Sequence, residues 1–312
     1  MRALITGASG FIGSNVLAYM LENTDWTFVC LCSWRHKGDP LNLQPWFNDD
    51  RVEIITLDLI GEIPDIGDFD YIFHLASESH VDRSIADPVN FIENNVSSTL
   101  QMLEYARKHV PKVFVLFSTD EVYGAMEHKE WDVLLPSNPY AASKAAQEMI
   151  AIAYWKTYNV PIVITNSNNI VGKNQNPEKF LPKIVGLINA GEEVTIHTSN
   201  GAPGRRYWNP VENVGSALMF IADRQPARYS NMLGEKINRP DKYNLSGGEE
   251  LDNLELAKLV ADILGKELRY KTLDAETIRP GYDEFYAHTQ GMLDKLGWKA
   301  PYTLWEGLQW LK

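Results

Sequence analysis

Cysteine is nearly missing from this chain: two occur in 312 residues, Cys30 and Cys32. That excludes a disulfide framework, and two thiols without further ligands leave a zinc site incomplete. Both lie in one apolar segment, where period-two alternation points them to the same sheet face. Long apolar runs are also missing, since none approaches the roughly 20 residues needed to span a bilayer. Strand-like sequence starts at Met1, and a cytoplasmic, reducing location is expected, with no membrane partner. Positive charge is scarce. Lys and Arg total 29 against 41 Asp and Glu, a formal charge of -12, which opposes nonspecific attraction to nucleic acid. Any phosphate ligand must therefore meet local cations. The seven histidines show no HxxxH or similar spacing, so no metal is expected.

What is present is alternation of strands and helices. Apolar strand candidates recur at Ala3–Thr6, Trp26–Leu31, Val52–Leu57, Tyr71–Leu75, Val113–Phe117 and Val160–Thr165, with helical patterns at Phe11–Leu21, Val89–Arg107 and Ala141–Lys156 among them. Strand, helix, strand repetition implies parallel pairing with helices on both faces. The fold class is thus α/β, a Rossmann-type doubly wound parallel sheet with a smaller C-terminal substrate-binding lobe. Residues 1–167, with parts of 209–247, are assigned to a dinucleotide-binding domain; 168–208 and 248–312 are assigned to the lobe. Further helices are expected at Pro177–Asn189, Glu212–Ala222, Asn253–Leu264 and Leu304–Leu311, interrupted by the polar stretch RQPARYSNMLGEKINRPDKYN. Trp298, Trp305 and Trp310 are expected to pack the lobe. His74, on an apolar strand, reads as a packed residue rather than a ligand.

The first strand runs into TGASGFIGSN, with Gly7, Gly10 and Gly13 spaced GxxGxxG before an amphipathic helix. Glycines there permit a tight turn and close backbone approach, so a pyrophosphate can rest on helix N–H groups at the positive helix end. The second strand ends LCSWRHKGD. No carboxylate holds the usual ribose position, and Ser33, Arg35, His36 and Lys37 could instead surround a 2'-phosphate, which leaves NAD and NADP both open. Asp58, after the third strand, is better placed for the adenine edge. Tyr140 and Lys144 form YAASK, a spacing of four that puts both on one helix face. An ammonium near a phenol stabilises phenolate and lowers a pKa that starts near 10. The strand Val113–Phe117 opens into Ser118, Thr119, Asp120 and Glu121, a hydroxyl and two adjacent carboxylates where a parallel sheet presents its ligands.

TGASGFIG, HLASESHVDRS, STDEVYG and YAASK together resemble the extended short-chain dehydrogenase/reductase family, NAD-dependent epimerase/dehydratase type, and within it the nucleotide-sugar 4,6-dehydratases, especially those acting on dTDP-glucose. The similarity continues through NPEKFLP and RRYWNPVEN to IRPGYDEFYA and LGWKAPYTLWEGL. The resemblance implies that Tyr140 takes the sugar 4-hydroxyl proton with Lys144 assisting and Thr119 orienting, while hydride leaves carbon 4 for a nicotinamide. Glu121 would then remove the acidified carbon 5 proton and Asp120 protonate the departing carbon 6 oxygen. Adjacent like charges suit this division, keeping one group protonated while the other is ionised.

Cofactor contacts implied by the resemblance are Gly7, Gly10, Phe11, Ile12, Gly13, Ser33, Arg35, Asp58, Leu59, Leu75, Ala76, Tyr140 and Lys144. Implied substrate contacts are Ser79, His80 and Asn169 near the sugar and phosphates, and Glu178, Lys179, Arg206, Asn244 and Arg279 around the nucleotide diphosphate. The arginines suit charge-assisted phosphate binding. A homodimer through the two long helices is implied as well. The chain departs from the family's pattern at Cys32, where NAD users have aspartate, and at Ile170, Val171, Tyr207 and Tyr282 in the substrate half. Two rival readings remain: a 4-epimerase or other oxidoreductase of the same family, and a catalytically silent nucleotide-binding protein. Intact Thr119, Tyr140 and Lys144 argue against the latter, because a binding module has no need of an activated phenol.

Overall fold

A computed structural model describes residues 1–34, 38–199, 201–225, 229–246, 248–274 and 291–312, together with the backbone of 285–288. Seven strands lie parallel in the order Asp241–Leu245, Ile162–Ser167, Val113–Thr119, Tyr71–His74, Arg2–Thr6, Thr27–Cys32 and Val52–Thr56. Six of these follow the apolar runs read from the sequence, as expected of strands covered on both faces. Their side chains alternate between two cores. Ala3, Ile5, Phe28 and Cys30 pack with Val16, Leu17, Val214 and Leu218 of helices Phe11–Asn23 and Val211–Arg224. Leu4, Val29 and Leu31 face Met102, Leu103, Ala151 and Trp155 of helices Pro88–Lys108 and Pro139–Tyr158. Cys32 joins Cys30 on the first face, and both thiols are buried and free.

The seventh strand, Asp241–Leu245, was hidden in the polar stretch. All five of its residues are buried, but Asp241, Lys242 and Asn244 are polar, and partners elsewhere in the chain take the place of apolar packing. The tryptophan expectation needs correction. Trp298 enters the core of the large sheet, donating to Ser216 Oγ at 3.2 Å, because the chain returns across helix Val211–Arg224; Trp305 and Trp310 are exposed. The expected helix Leu304–Leu311 is divided into Leu304–Gly307 and a 3-10 turn, Gln309–Leu311.

A third core, with Val171, Leu181, Ile184, Val194, Trp208, Leu256 and Leu304, lies beneath smaller strands and helices Phe180–Ala190 and Asn253–Leu264. There Arg205–Pro210 pairs with Asn169–Val171 and with Glu249–Asp252. In the large sheet, Arg2–Thr6 has the second strand on one side and the fourth on the other. Chain order reverses at that point, and the loops after Thr6 and His74 part into the crevice where parallel sheets bind ligands.

Candidate active site

The loop after the first strand is shaped by what its glycines lack. Gly7 has φ +68°, and a Cβ on it would sit 2.9 Å from Ala76 Cα. On Gly13 a Cβ would meet Gly7 O at 2.3 Å and Ala8 Cα at 2.7 Å. Gly10 N donates to Gly7 O at 2.9 Å, and Gly10 caps the Phe11–Asn23 helix without a side-chain bond. The turn thus sets the helix's first N–H groups, in the turn holding Phe11 and Ile12, toward the crevice with no side chain in the way. Thr6 Oγ1 accepts from both Leu75 N and Ala76 N at 3.1 Å, locking the two loops together. These residues fit a dinucleotide pyrophosphate.

At the adenosine end, Cys32 is fully buried, its thiol pushed up by burial, and Ser33 follows half-buried. Asp58 Oδ1 accepts from Ile60 N at 3.3 Å beside the buried Leu59. Arg35, with His36 and Lys37, lies outside the described residues.

Thr119 ends the central strand, and its Oγ1 accepts from Glu121 N at 3.4 Å, starting the 3-10 turn Asp120–Tyr123. That turn separates the two carboxylates. Asp120 is buried, with Oδ1 accepting from the Thr119 hydroxyl at 3.2 Å and Oδ2 without a hydrogen-bond partner among the described residues. Glu121 is half-buried and accepts from Asn138 Nδ2 at 3.2 Å. Burial, and then the Glu121 charge, push the Asp120 carboxyl up to about 7.

Asn138 also caps the Pro139–Tyr158 helix, accepting from Ala141 N at 2.9 Å, with Pro139 at the first position. Tyr140 therefore stands in the first turn and Lys144 one turn on, both buried. The phenol does not behave as the spacing suggested. Burial first, then Glu121, hold it well above its usual value, while the Thr119 hydroxyl bonds to it and pulls it back. Lys144 is turned elsewhere, donating to Phe117 O at 2.7 Å, and burial brings its ammonium down to about 7 against the opposing charge of Glu148.

The predicted substrate residues fall into two groups. Ser79, His80, Glu178 and Lys179 come together: Lys179 Nζ donates to Ser79 O at 2.8 Å, and His80 Nε2 is 3.7 Å from Glu178. Arg83, overlooked within HVDRS, donates from Nη2 to both carboxylate oxygens of Glu178, at 2.6 and 2.8 Å. Arg206 belongs to the other group, its charge acting on Asp120. Asn244 is fully buried and accepts from the Tyr123 hydroxyl at 3.1 Å, reaching the site through the acidic turn, and Asn169 is half-buried on a strand beside Trp208. Arg279 and Tyr282 lie outside the described residues. His74 is a packed residue, bonded to Thr6 and Thr99 at 2.9 Å each. Sequence reasoning noted Ser118 at the strand end without giving it a role, and it passed over Glu148, Asn166 and Lys242; the one available signal was Glu148's spacing of four from Lys144.

Known proteins are similar to this chain in sequence and fold. The low-salt glycan biosynthesis protein Agl12 of Haloferax volcanii is 32% identical over 99% of this chain and 96% of its own length. A dTDP-glucose 4,6-dehydratase of Streptomyces niveus is 31% identical, over 98% and 94%. Among solved structures, the dTDP-glucose 4,6-dehydratase DesIV of Streptomyces venezuelae, which has NAD bound, superposes with a TM-score of 0.85 at 31% identity, covering 100% of this chain and 95% of that one. Residues 4–311 match the family model described as GDP-mannose 4,6 dehydratase, and the chain belongs to that family, of the extended short-chain dehydrogenase/reductase type.

Proposed function

We propose that this protein is a nucleotide-sugar 4,6-dehydratase, converting an NDP-hexose, with dTDP-glucose favoured, to the NDP-4-keto-6-deoxyhexose, and that it works as a cytoplasmic homodimer. The observation that carries this reading is the pair at the strand end: Asp120 buried, its carboxyl pushed up to about 7, beside a more exposed Glu121. A 4-epimerase would use Tyr140 in the same way but would have no work for two carboxylic groups of divided ionisation. Dimer formation is supported by Val89, Leu100 and Met149, apolar side chains exposed on the helices Pro88–Lys108 and Pro139–Tyr158.

NAD fits the turn of Gly7, Gly10 and Gly13, with Leu75 and Ala76 across the crevice and Ser33, Asp58 and Leu59 toward the adenosine; NADP is the alternative. When bound, it supplies a hydride acceptor for carbon 4, a donor for carbon 6 and a positive ring charge. Tyr140 takes the 4-hydroxyl proton, oriented by Thr119 and supported by the Lys144 ammonium. Oxidation at carbon 4 acidifies the proton on carbon 5. Glu121 removes that proton, and Asp120 donates one to the oxygen leaving carbon 6, so water departs. Glu121 is then placed to return its proton to carbon 5 as carbon 6 is reduced. Ser79, His80 and Asn169 are assigned to the sugar and phosphates, and Glu178, Lys179 and Arg206 to the surroundings of the nucleotide diphosphate, with Asn244, fully buried, acting there only through Tyr123; Arg279, assigned to the same group, lies outside the described residues.

Mass spectrometry of the purified protein with dTDP-, UDP-, GDP- and CDP-glucose and GDP-mannose, without added cofactor, tests the reading. One donor should yield a product lighter by one water, and denaturation should release a dinucleotide. Unchanged masses throughout, with NAD or NADP also supplied, would remove the dehydratase reading.

The pH profile should carry the mark of Asp120. As the acid it must be protonated, so turnover should fall as pH rises through about 7, and an opposite limb should appear where Glu121 gains a proton. The stability sign follows from the same raised carboxyl. Between the unfolded value near 4 and about 7 the native state binds the extra proton, so Asp120's contribution to stability falls as pH rises through that window. D120N should remove both trends; pH–rate and pH–melting curves of the variant check this.

A further inference from the structure

Glu148 stands four residues past Lys144 on the same helix face, fully enclosed by protein. Its Oε1 accepts from Ser118 Oγ at 2.6 Å and Asn166 Nδ2 at 2.7 Å, and its Oε2 accepts from Lys242 Nζ at 2.7 Å. Four elements thus meet at one carboxylate: the helix of Tyr140 and Lys144, the strand ending in Thr119, the strand Ile162–Ser167 and the strand Asp241–Leu245. Asn166 Nδ2 also donates to Thr119 O at 2.9 Å. Asn244, two residues past Lys242, accepts from the Tyr123 hydroxyl at the far end of the acidic turn.

Stability alone is a poor account of this pair. A buried ion pair loses hydration on both partners and is often replaceable without loss by uncharged residues, and a neutral acceptor would serve Ser118 and Asn166 equally well. What a neutral acceptor lacks is charge, and Lys144 lies within its influence. Around Lys144 the structure sets Phe117 O and His74, which burial keeps neutral by taking its pKa down to about 3. Glu148 works against the burial that weakens the Lys144 ammonium. Lys242 in turn faces Glu130 and Arg239, and the Tyr123 phenol faces Glu148.

We propose that Glu148, clamped by Lys242, is a positioning residue of this site: it fixes the Thr119 strand end against the Tyr140 helix and holds a negative charge one helical turn from Lys144. Its consequence for turnover rests on the dehydratase reading, so the decisive measurement is of Lys144 itself. The full chain, carrying carbon-13 at lysine Cε, is titrated by NMR, and K144R identifies the resonance. E148Q/K242Q removes both charges and keeps the hydrogen bonds, since the amide at 148 still accepts from Ser118 and Asn166 and can donate to the amide at 242. In that variant the Lys144 midpoint should fall by about 1 unit or more, while E148D should hold it. Should the double variant not fold, K242Q leaves Glu148 directed at Lys144 alone, and the midpoint should rise.

A Lys144 midpoint unmoved in E148Q/K242Q, or in K242Q where the double variant cannot be made, overturns the proposal. In the same double variant at about pH 8, turnover should fall on the order of tenfold with KM held, as loss of a protonated group with intact substrate binding requires. If the wild-type protein dehydrates no nucleotide sugar, the functional reading fails while the titration still decides the role of Glu148.

Discussion

E121Q should lower turnover by about 10³-fold, within the range general base catalysis contributes, while leaving the dinucleotide bound and the first oxidation intact. The amide is isosteric and can keep its place beside Asn138, which now bonds to Glu121 at 3.2 Å. What it cannot do is take a proton from carbon 5. With the nucleotide sugar supplied, the near-ultraviolet absorbance of the reduced cofactor should therefore persist, and the product lighter by one water should form only at the residual rate. A second consequence separates this account from a general loss of activity. Glu121 is one of the two causes that raise the Asp120 carboxyl, after burial, so removing its charge should shift the residual alkaline limb to lower pH. D120N should block water loss at the same stage, because its amide cannot donate as an acid does, yet without the cofactor's early step being affected. Water loss at the wild-type rate in both variants would end the assignment of Asp120 and Glu121 as acid and base.

The parts of this protein that were legible in the sequence are those where one residue type has one physical use. Gly7 and Gly13 announce a turn because a Cβ at either would strike backbone within 3 Å, and six of the large sheet's strands announce themselves because both their faces are covered by apolar side chains. Asp241–Leu245 did not, since Lys242 and Asn244 are buried by pairing with Glu148 and Tyr123, partners far away in the chain. Periodicity carries no record of such pairings. The same limit applies at the site. Tyr140 and Lys144 were found by their spacing of four, but the direction in which each is titrated is set by burial first and then by Glu121 for the phenol and against Glu148 for the ammonium, none of which the spacing contains. Arg83 was within a quoted motif and still overlooked, because its partner Glu178 is 95 residues away.

Y140F should lower turnover by about 10³-fold or more, and it should fail at an earlier point than E121Q. The ring remains packed edge-on against Phe91, at 6.2 Å between centroids and 86° between planes, so the variant should fold and keep its dinucleotide. Only the hydroxyl is lost, the group in contact with Thr119 and held in the protonated form by burial and by Glu121. Because that phenol is hard to ionise, positive charge brought near it has a large effect on the barrier, and Lys144, one helical turn on, is the group assigned to supply it. Loss of the phenol removes the proton acceptor for the first oxidation, so no near-ultraviolet absorbance from reduced cofactor should develop with any nucleotide sugar. Together the two variants order the steps. Absorbance that builds and persists in E121Q but never builds in Y140F would place Tyr140 before Glu121, as oxidation before elimination demands. Absorbance that builds in Y140F at the wild-type rate would take the proton transfer away from Tyr140 and leave the Thr119 hydroxyl, or a water bound to it, as the group to examine.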